Sequence, residues 1–158
     1  MLDGFTQPPW HAPAANWSLS SYSAGKIKEF EGLRLTRYQD AIGIWTIGYG
    51  HATDDPSLET ITLDKAELLF ASDINICGTA IRNAIRAEIS QGQFDALTDF
   101  TFNCGVGNFQ RSGLIQQFNT GNLIGACATI QQYNKAGGRA LPGLTARRQW
   151  ECQLIMAA

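Results

Sequence analysis

Eight residues separate Glu31 from Asp40, and five separate Asp40 from Thr46, in the run EGLRLTRYQDAIGIWTIGYGH. Two carboxylates on different elements are the minimal kit for breaking a glycosidic bond. One is held protonated to donate to the leaving oxygen, and the other stays ionised to orient a water or stabilise an oxocarbenium ion. Glu31 fits the first task, because a helix C-terminus disfavours negative charge and apolar Phe30 and Leu33 flank it. Asp40 fits the second, at a polar turn where water and backbone N–H groups can keep it charged. Thr46 follows on the next strand, and a hairpin through DAIG would turn its hydroxyl toward the same space. The same three residues also fit a plain helix end and a plain turn, since acids near turns are common.

The elements that would position them are legible from pattern. SLSSYSAGKIKEFEG reads as a short helix with serine caps in front and Gly32 as its stop. LRLTRYQDAIGIWTIGYGH, rich in β-branched and aromatic residues, reads as two antiparallel strands joined at DAIG. Thr62 then caps a long helix with apolar residues at 66, 69, 70, 74, 77 and 81, and Asp64 suits its positive first turn. Ser90 and Gln93 form a capping-box pattern that opens a helix ending near Cys104–Gly105. Further helices are expected at 112–118, 122–133 and 145–156. The residues before 20 form an irregular arm, and its Trp10 and Trp17 are expected to dock on the body.

Composition narrows the class. The 158 residues suffice for one core or two small lobes sharing a helix. No apolar run reaches membrane-spanning length, and MLDGFTQPPWHAPAANWS lacks the basic and apolar regions of a secretory signal. A net charge of −2 argues against nucleic-acid binding, which calls for a basic excess. Arg139, Arg147 and Arg148 form the one basic cluster, and an adjacent Arg pair on a helix ordinarily faces water. Cys77, Cys104, Cys127 and Cys152 show no CxxC spacing, and two histidines give no zinc signature. Free buried thiols are the expectation, with a disulfide as the alternative.

The spacing of Glu31, Asp40 and Thr46, with EGLRL after the acid and TIGYGH from the threonine, closely resembles the phage-type lysozymes (endolysins of glycoside hydrolase family 24). ITLDKAELLFASD resembles the start of that family's interlobe helix. FNCGVGNFQRSGLIQQFN and GGRALPGLTARRQWE resemble its later signatures, in the family's order from Ser20 to Leu154. The resemblance implies a two-lobed, mainly helical α+β fold with a small antiparallel sheet in the N-terminal lobe. Its divisions would be an arm at 1–19, a sheet-containing lobe at 20–62, an interlobe helix at 63–88 and a helical lobe at 89–158.

It also implies an enzyme, a muramidase that hydrolyses the bond between N-acetylmuramic acid and N-acetylglucosamine in peptidoglycan, with inversion. Glu31 would be the proton donor, Asp40 the water-orienting base and Thr46 the accessory hydroxyl. Inversion calls for carboxyl groups about 6.5–9.5 Å apart. Gly50, Phe102 and Ser112 would contact the glycan, and His51 would pair with Asp73 structurally. At two further family contacts this chain carries Ala52 and Cys127. Arg147 or Arg148 would reach toward Glu31 or a muropeptide carboxylate. No metal and no cofactor are expected, and a monomer is. Synthesis in the host cytoplasm is expected, with access to the wall through a separate holin-type pore. A lytic transglycosylase, a virion-associated lysozyme and a murein-binding module with a degenerate site are the other readings.

Overall fold

The computed structural model describes residues 11–157. Trp10 lies outside the described residues. Helix α1 (Ser21–Glu31) opens where the Ser20 hydroxyl accepts from the Ser23 N–H, and it stops at Gly32, whose φ of 69° is open to glycine at little cost. Strands β2 (Arg34–Gln39), β3 (Trp45–Gly48) and β4 (His51–Ala52) follow as an antiparallel sheet in that order. Tyr38 lies opposite Thr46, and Thr46 opposite Ala52, so Thr46 sits mid-sheet. The expected DAIG turn is present, closed by the Gly43 N–H donating to the Asp40 carbonyl at 3.0 Å. The third strand was not evident from sequence, because it is two residues long and follows a turn at Tyr49–Gly50.

Helix α2 (Leu63–Ala84) is capped by Thr62 as expected. Its expected continuation toward residue 88 is replaced by β5 (Glu88–Ile89), which pairs with β1 (Ala12–Pro13) from the arm. The Asn119 side-chain amide donates to the Ala84 carbonyl at the helix end, and its oxygen accepts from the Arg86 and Ala87 N–H groups just beyond. Helix α3 (Gln91–Cys104) carries the complete Ser90–Gln93 capping box. It is the central helix, and every residue from Gln93 to Thr101 is buried.

Around α3 stand α4 (Val106–Arg111), α5 (Leu114–Asn119), α6 (Leu123–Gln131) and α7 (Pro142–Met156). The expected single helix at 112–118 is instead the second of two short ones, broken at Gly113 with φ 89°. Helix α7 starts earlier than expected because Pro142 is favourable in a first turn, where its missing N–H costs nothing. A tight hairpin of β6 (Lys135–Ala136) and β7 (Arg139–Ala140) turns through Gly137 and Gly138 ahead of it.

The apolar interior divides in two. Phe94, Leu97, Phe100, Phe109, Leu114, Phe118, Ile130 and Ile155 belong to one helical core. Ile47, Ile61 and Ala66 form a smaller one under the sheet. Across the junction, Lys28 of α1 pairs with Glu67 of α2 and lies over the Tyr49 and Phe70 rings. All four cysteines are free thiols. None of the described helices is long and apolar enough to cross a membrane.

Trp17 joins the helical core, as expected, and its indole N–H donates to the Ile89 carbonyl at 2.8 Å. Trp17→Ala removes that bond and leaves a large cavity, so it should cost about 3 kcal/mol in urea unfolding. A loss within experimental error of zero would mean that the arm adds nothing to the fold.

Candidate active site

Glu31 ends α1, Asp40 closes β2, and Thr46 stands on β3; the fold brings all three to one open cleft of about 260 Å³. Tyr38, Ile44, Gly50, Ala52, Phe102 and Asn103 complete its walls. The Glu31 side comes from the helical body and the Asp40 side from the sheet. Asp40 Oδ1 accepts from the Ile42 and Ile44 N–H groups, both at 2.9 Å. Among the described residues its Oδ2 accepts no protein hydrogen bond. The Thr46 hydroxyl donates to the Ile44 carbonyl at 3.1 Å, which leaves its oxygen lone pairs as acceptors. One water between them could therefore give a proton to each.

Gly50 is required by two constraints. Its φ is 77°, and a Cβ there would sit 2.7 Å from Glu31 Oε2. Glu31 thus presses Oε2 against bare backbone at the cleft wall. Its other oxygen, Oε1, accepts from Arg147 Nη1 at 2.6 Å.

That arginine opens a buried network. Arg147 also forks onto Asp99, with Nε at 3.1 and 3.0 Å from the two carboxylate oxygens and Nη2 at 2.6 Å from Oδ1. The Phe30 ring lies beneath the guanidinium, its centroid 5.0 Å away, and meets Trp150 edge-on. Burial alone would lower the Arg147 pKa, but hydrogen bonds and charge from Asp99, with Glu31 adding to them, raise it above the ordinary value. The guanidinium is permanently cationic. Arg148 donates to Asn103 at 3.0 Å and to the Cys104 sulfur at 2.9 Å. The reading of these arginines as a solvated pair is overturned: they are 4% and 1% exposed, because each meets a carboxylate from within the protein.

Glu151 behaves differently from the other acids here. Arg148 Nη2 lies 2.8 Å from Glu151 Oε1, but neither Glu151 oxygen accepts a well-directed hydrogen bond. Burial first, and then the Asp99 charge, push the Glu151 pKa well above the usual carboxylate range, and the two arginines only partly oppose this. Burial at this depth thus favours the protonated form of Glu151.

The chain matches the phage lysozyme family over residues 28–151. The chain belongs to that family. It is 38% identical over 136 residues to the endolysin of Acyrthosiphon pisum secondary endosymbiont phage 1, covering 84% of this chain and 93% of that one. It is 36% identical over 141 residues to the endolysin of Bacillus phage PZA, where it spans 87% of itself and 54% of the relative. The muramidase domain of SpmX from Asticaccaulis excentricus superimposes with a TM-score of 0.78 at 31% identity, covering 88% of this chain and 97% of the other. The endolysin of Escherichia coli O157:H7 phage FAHEc1 gives a TM-score of 0.76 at 32% identity, covering 89% and 94%. As a phage lysozyme the chain is a peptidoglycan-hydrolysing enzyme of endolysin type, with the mainly helical, two-lobed fold.

The other residues singled out in the sequence fall in several places. Phe102 lines the lysozyme cleft and packs edge-on against Phe70 at 5.6 Å. His51 Nδ1 lies 2.8 Å from Asp73 Oδ2, joining β4 to α2. This pair lines a neighbouring hollow of about 240 Å³ that shares Gly50, Ala52 and Phe102 with the acidic section. Ser112 lines neither hollow; its hydroxyl donates to the Phe109 carbonyl and accepts from the Leu114 N–H. Cys127 stands away from the cleft, against Cys152 of α7. Asp99, Tyr38 and Asn103 were not read from the sequence. The available signal for Asp99 was the pair Asp95 and Asp99, one turn apart in an otherwise apolar helix, since buried acids need partners.

Glu151 gives stability a definite sign with pH. Its pKa is raised on folding, so its contribution is fully present below the unfolded carboxylate pKa. It is lost as pH rises toward and through the folded value. Glu151→Gln mimics the protonated acid and should flatten the fall in unfolding free energy as pH rises above the ordinary carboxylate range. Parallel stability profiles for the two proteins would refute a protonated Glu151.

Proposed function

We propose that the acidic cleft cuts the β-1,4 bond between N-acetylmuramic acid and N-acetylglucosamine by single displacement. Glu31 is the acid and Asp40 the base. The reading is carried by the placement of Glu31 on one wall and the Asp40–Thr46 acceptor pair on the other, with open space between. Arg147 fixes Glu31 Oε1, so Oε2, the oxygen against Gly50, carries the proton to the leaving glycosidic oxygen. Across the cleft, Asp40 Oδ2 and Thr46 Oγ1 accept the two protons of a water. Its lone pair then points at the anomeric carbon from the face opposite Glu31. Gly50 and Phe102 supply backbone approach and an apolar edge for the sugar rings. Ser112 would meet the glycan farther along the helical lobe, and the His51–Asp73 pair is structural.

A lytic transglycosylase needs the acid alone and forms an anhydro product without water. The Asp40–Thr46 pair, placed to hold a water, favours hydrolysis. On this reading the protein acts as a monomer without metal or cofactor. It is made in the host cytoplasm and reaches the wall through a holin-type pore.

Turbidity clearing of permeabilised Gram-negative cells, with mass analysis of the released muropeptides, tests the assignment. Glu31→Gln should slow clearing by at least about 100-fold, the usual worth of a general acid, with a reducing-end product from the wild type. Equal clearing by both proteins would end the assignment, and anhydro-muropeptides would select the transglycosylase.

A further inference from the structure

Helices α6 and α7 face each other through two cysteines that the reaction does not use. Cys127 and Cys152 are 25 residues apart in sequence and both are free. The Cys152 sulfur lies 3.6 Å from the Cys127 carbonyl oxygen, and the Cys127 sulfur 3.9 Å from the Cys152 carbonyl oxygen. Such reciprocal contacts set each sulfur against the other residue's backbone, so the two cysteines face each other across the helix pair. Disulfide formation needs that approach. Gln131 also donates toward the Cys152 sulfur at 3.9 Å and so fixes its position.

We propose that Cys127 and Cys152 form an intramolecular disulfide when the folded protein meets a disulfide oxidant. The bond would staple α6 to α7, the helix that carries Arg147. The chemistry is exchange with a low-molecular-weight or protein disulfide. The thiolate of Cys127, the more exposed of the two, attacks one sulfur of the donor and releases the first thiol. Cys152 then attacks the mixed disulfide and releases the second. Two cysteine protons leave with the two donor thiols, the protein loses two electrons, and the donor gains them.

Burial and the neighbouring Cys127 thiol push the Cys152 pKa up to about 12, which makes the second step slow without a base or catalyst. The other two thiols are poor competitors. Burial raises Cys77 to about 12, and burial raises Cys104 also. The proposed bond rests on this juxtaposition. Its timing rests on the proposed function: the thiols stay reduced in the cytoplasm, and the enzyme meets oxidants where it meets the wall. Closing the loop restricts the unfolded chain, so the oxidised form should outlast the reduced form outside the cell.

The test is incubation of the purified full chain, under native conditions, with excess oxidised glutathione, followed by alkylation, intact mass and peptide mapping. The expected result is loss of two hydrogen masses and of two alkylatable thiols. The map should join the Cys127 and Cys152 peptides, and Tm should rise on the order of 5 °C. Cys127→Ser and Cys152→Ser should each abolish the link and the Tm rise. The proposal is overturned if all four thiols remain alkylatable, if glutathione adducts persist on Cys127 without closing, or if the map joins another pair. Since no readout is activity, failure here leaves the muramidase assignment standing, and failure of clearing leaves the disulfide standing.

Discussion

The side chain on which the arrangement turns is the guanidinium of Arg147, buried between Asp99 and Glu31. An isolated charge at that depth would cost many kcal/mol, and two carboxylates in hydrogen-bond contact make it tolerable. The bond network has a geometric consequence. Helix α1 is fastened to α3 at both ends by acids one helical turn apart. At the front, Asp95 accepts from the hydroxyls of Ser20 and Ser23. At the rear, Asp99 holds Arg147, which holds Glu31. The acid is therefore a fixture of the helical body, whereas Asp40 and Thr46 ride on the sheet.

That division gives the cleft its chemical polarity. On the helical side the constraint is ionic and buried, and it fixes one oxygen of Glu31 while the other faces the cleft. On the sheet side it is a turn whose N–H groups occupy one oxygen of Asp40 and free the second for water. Gly50 stands directly against Glu31, and a side chain there would displace the acid. Behind this network Glu151 lies buried against Arg148, where burial and the Asp99 charge raise its pKa.

Much of this was legible in the sequence and some was not, for physical reasons. The caps at Ser20, Thr62 and Ser90 and the DAIG turn are local and were read from a few residues each. The catalytic candidates followed from spacing, because a helix end and a hairpin fix where Glu31, Asp40 and Thr46 emerge. The depth of Arg147 and Arg148 was misread, since nothing local to RRQW tells that α7 lies against a helix buried all round. Asp99 was overlooked for the same reason: its partner lies 48 residues away. The pairing of β1 with β5 joins residues over 70 positions apart, with two-residue strands that carry no periodicity.

The central claim is that Arg147 positions Glu31 for proton donation by bonding it and Asp99 at once. Arg147→Lys keeps the charge but cannot fork onto one carboxylate while reaching a second. The direct measurement is its kcat and KM on peptidoglycan, with circular dichroism and Tm to establish that it is folded. The account predicts a folded protein whose kcat falls by roughly 100-fold while KM changes little, as expected when an interaction serves the transition state. A folded Arg147→Lys enzyme with wild-type kcat would contradict it.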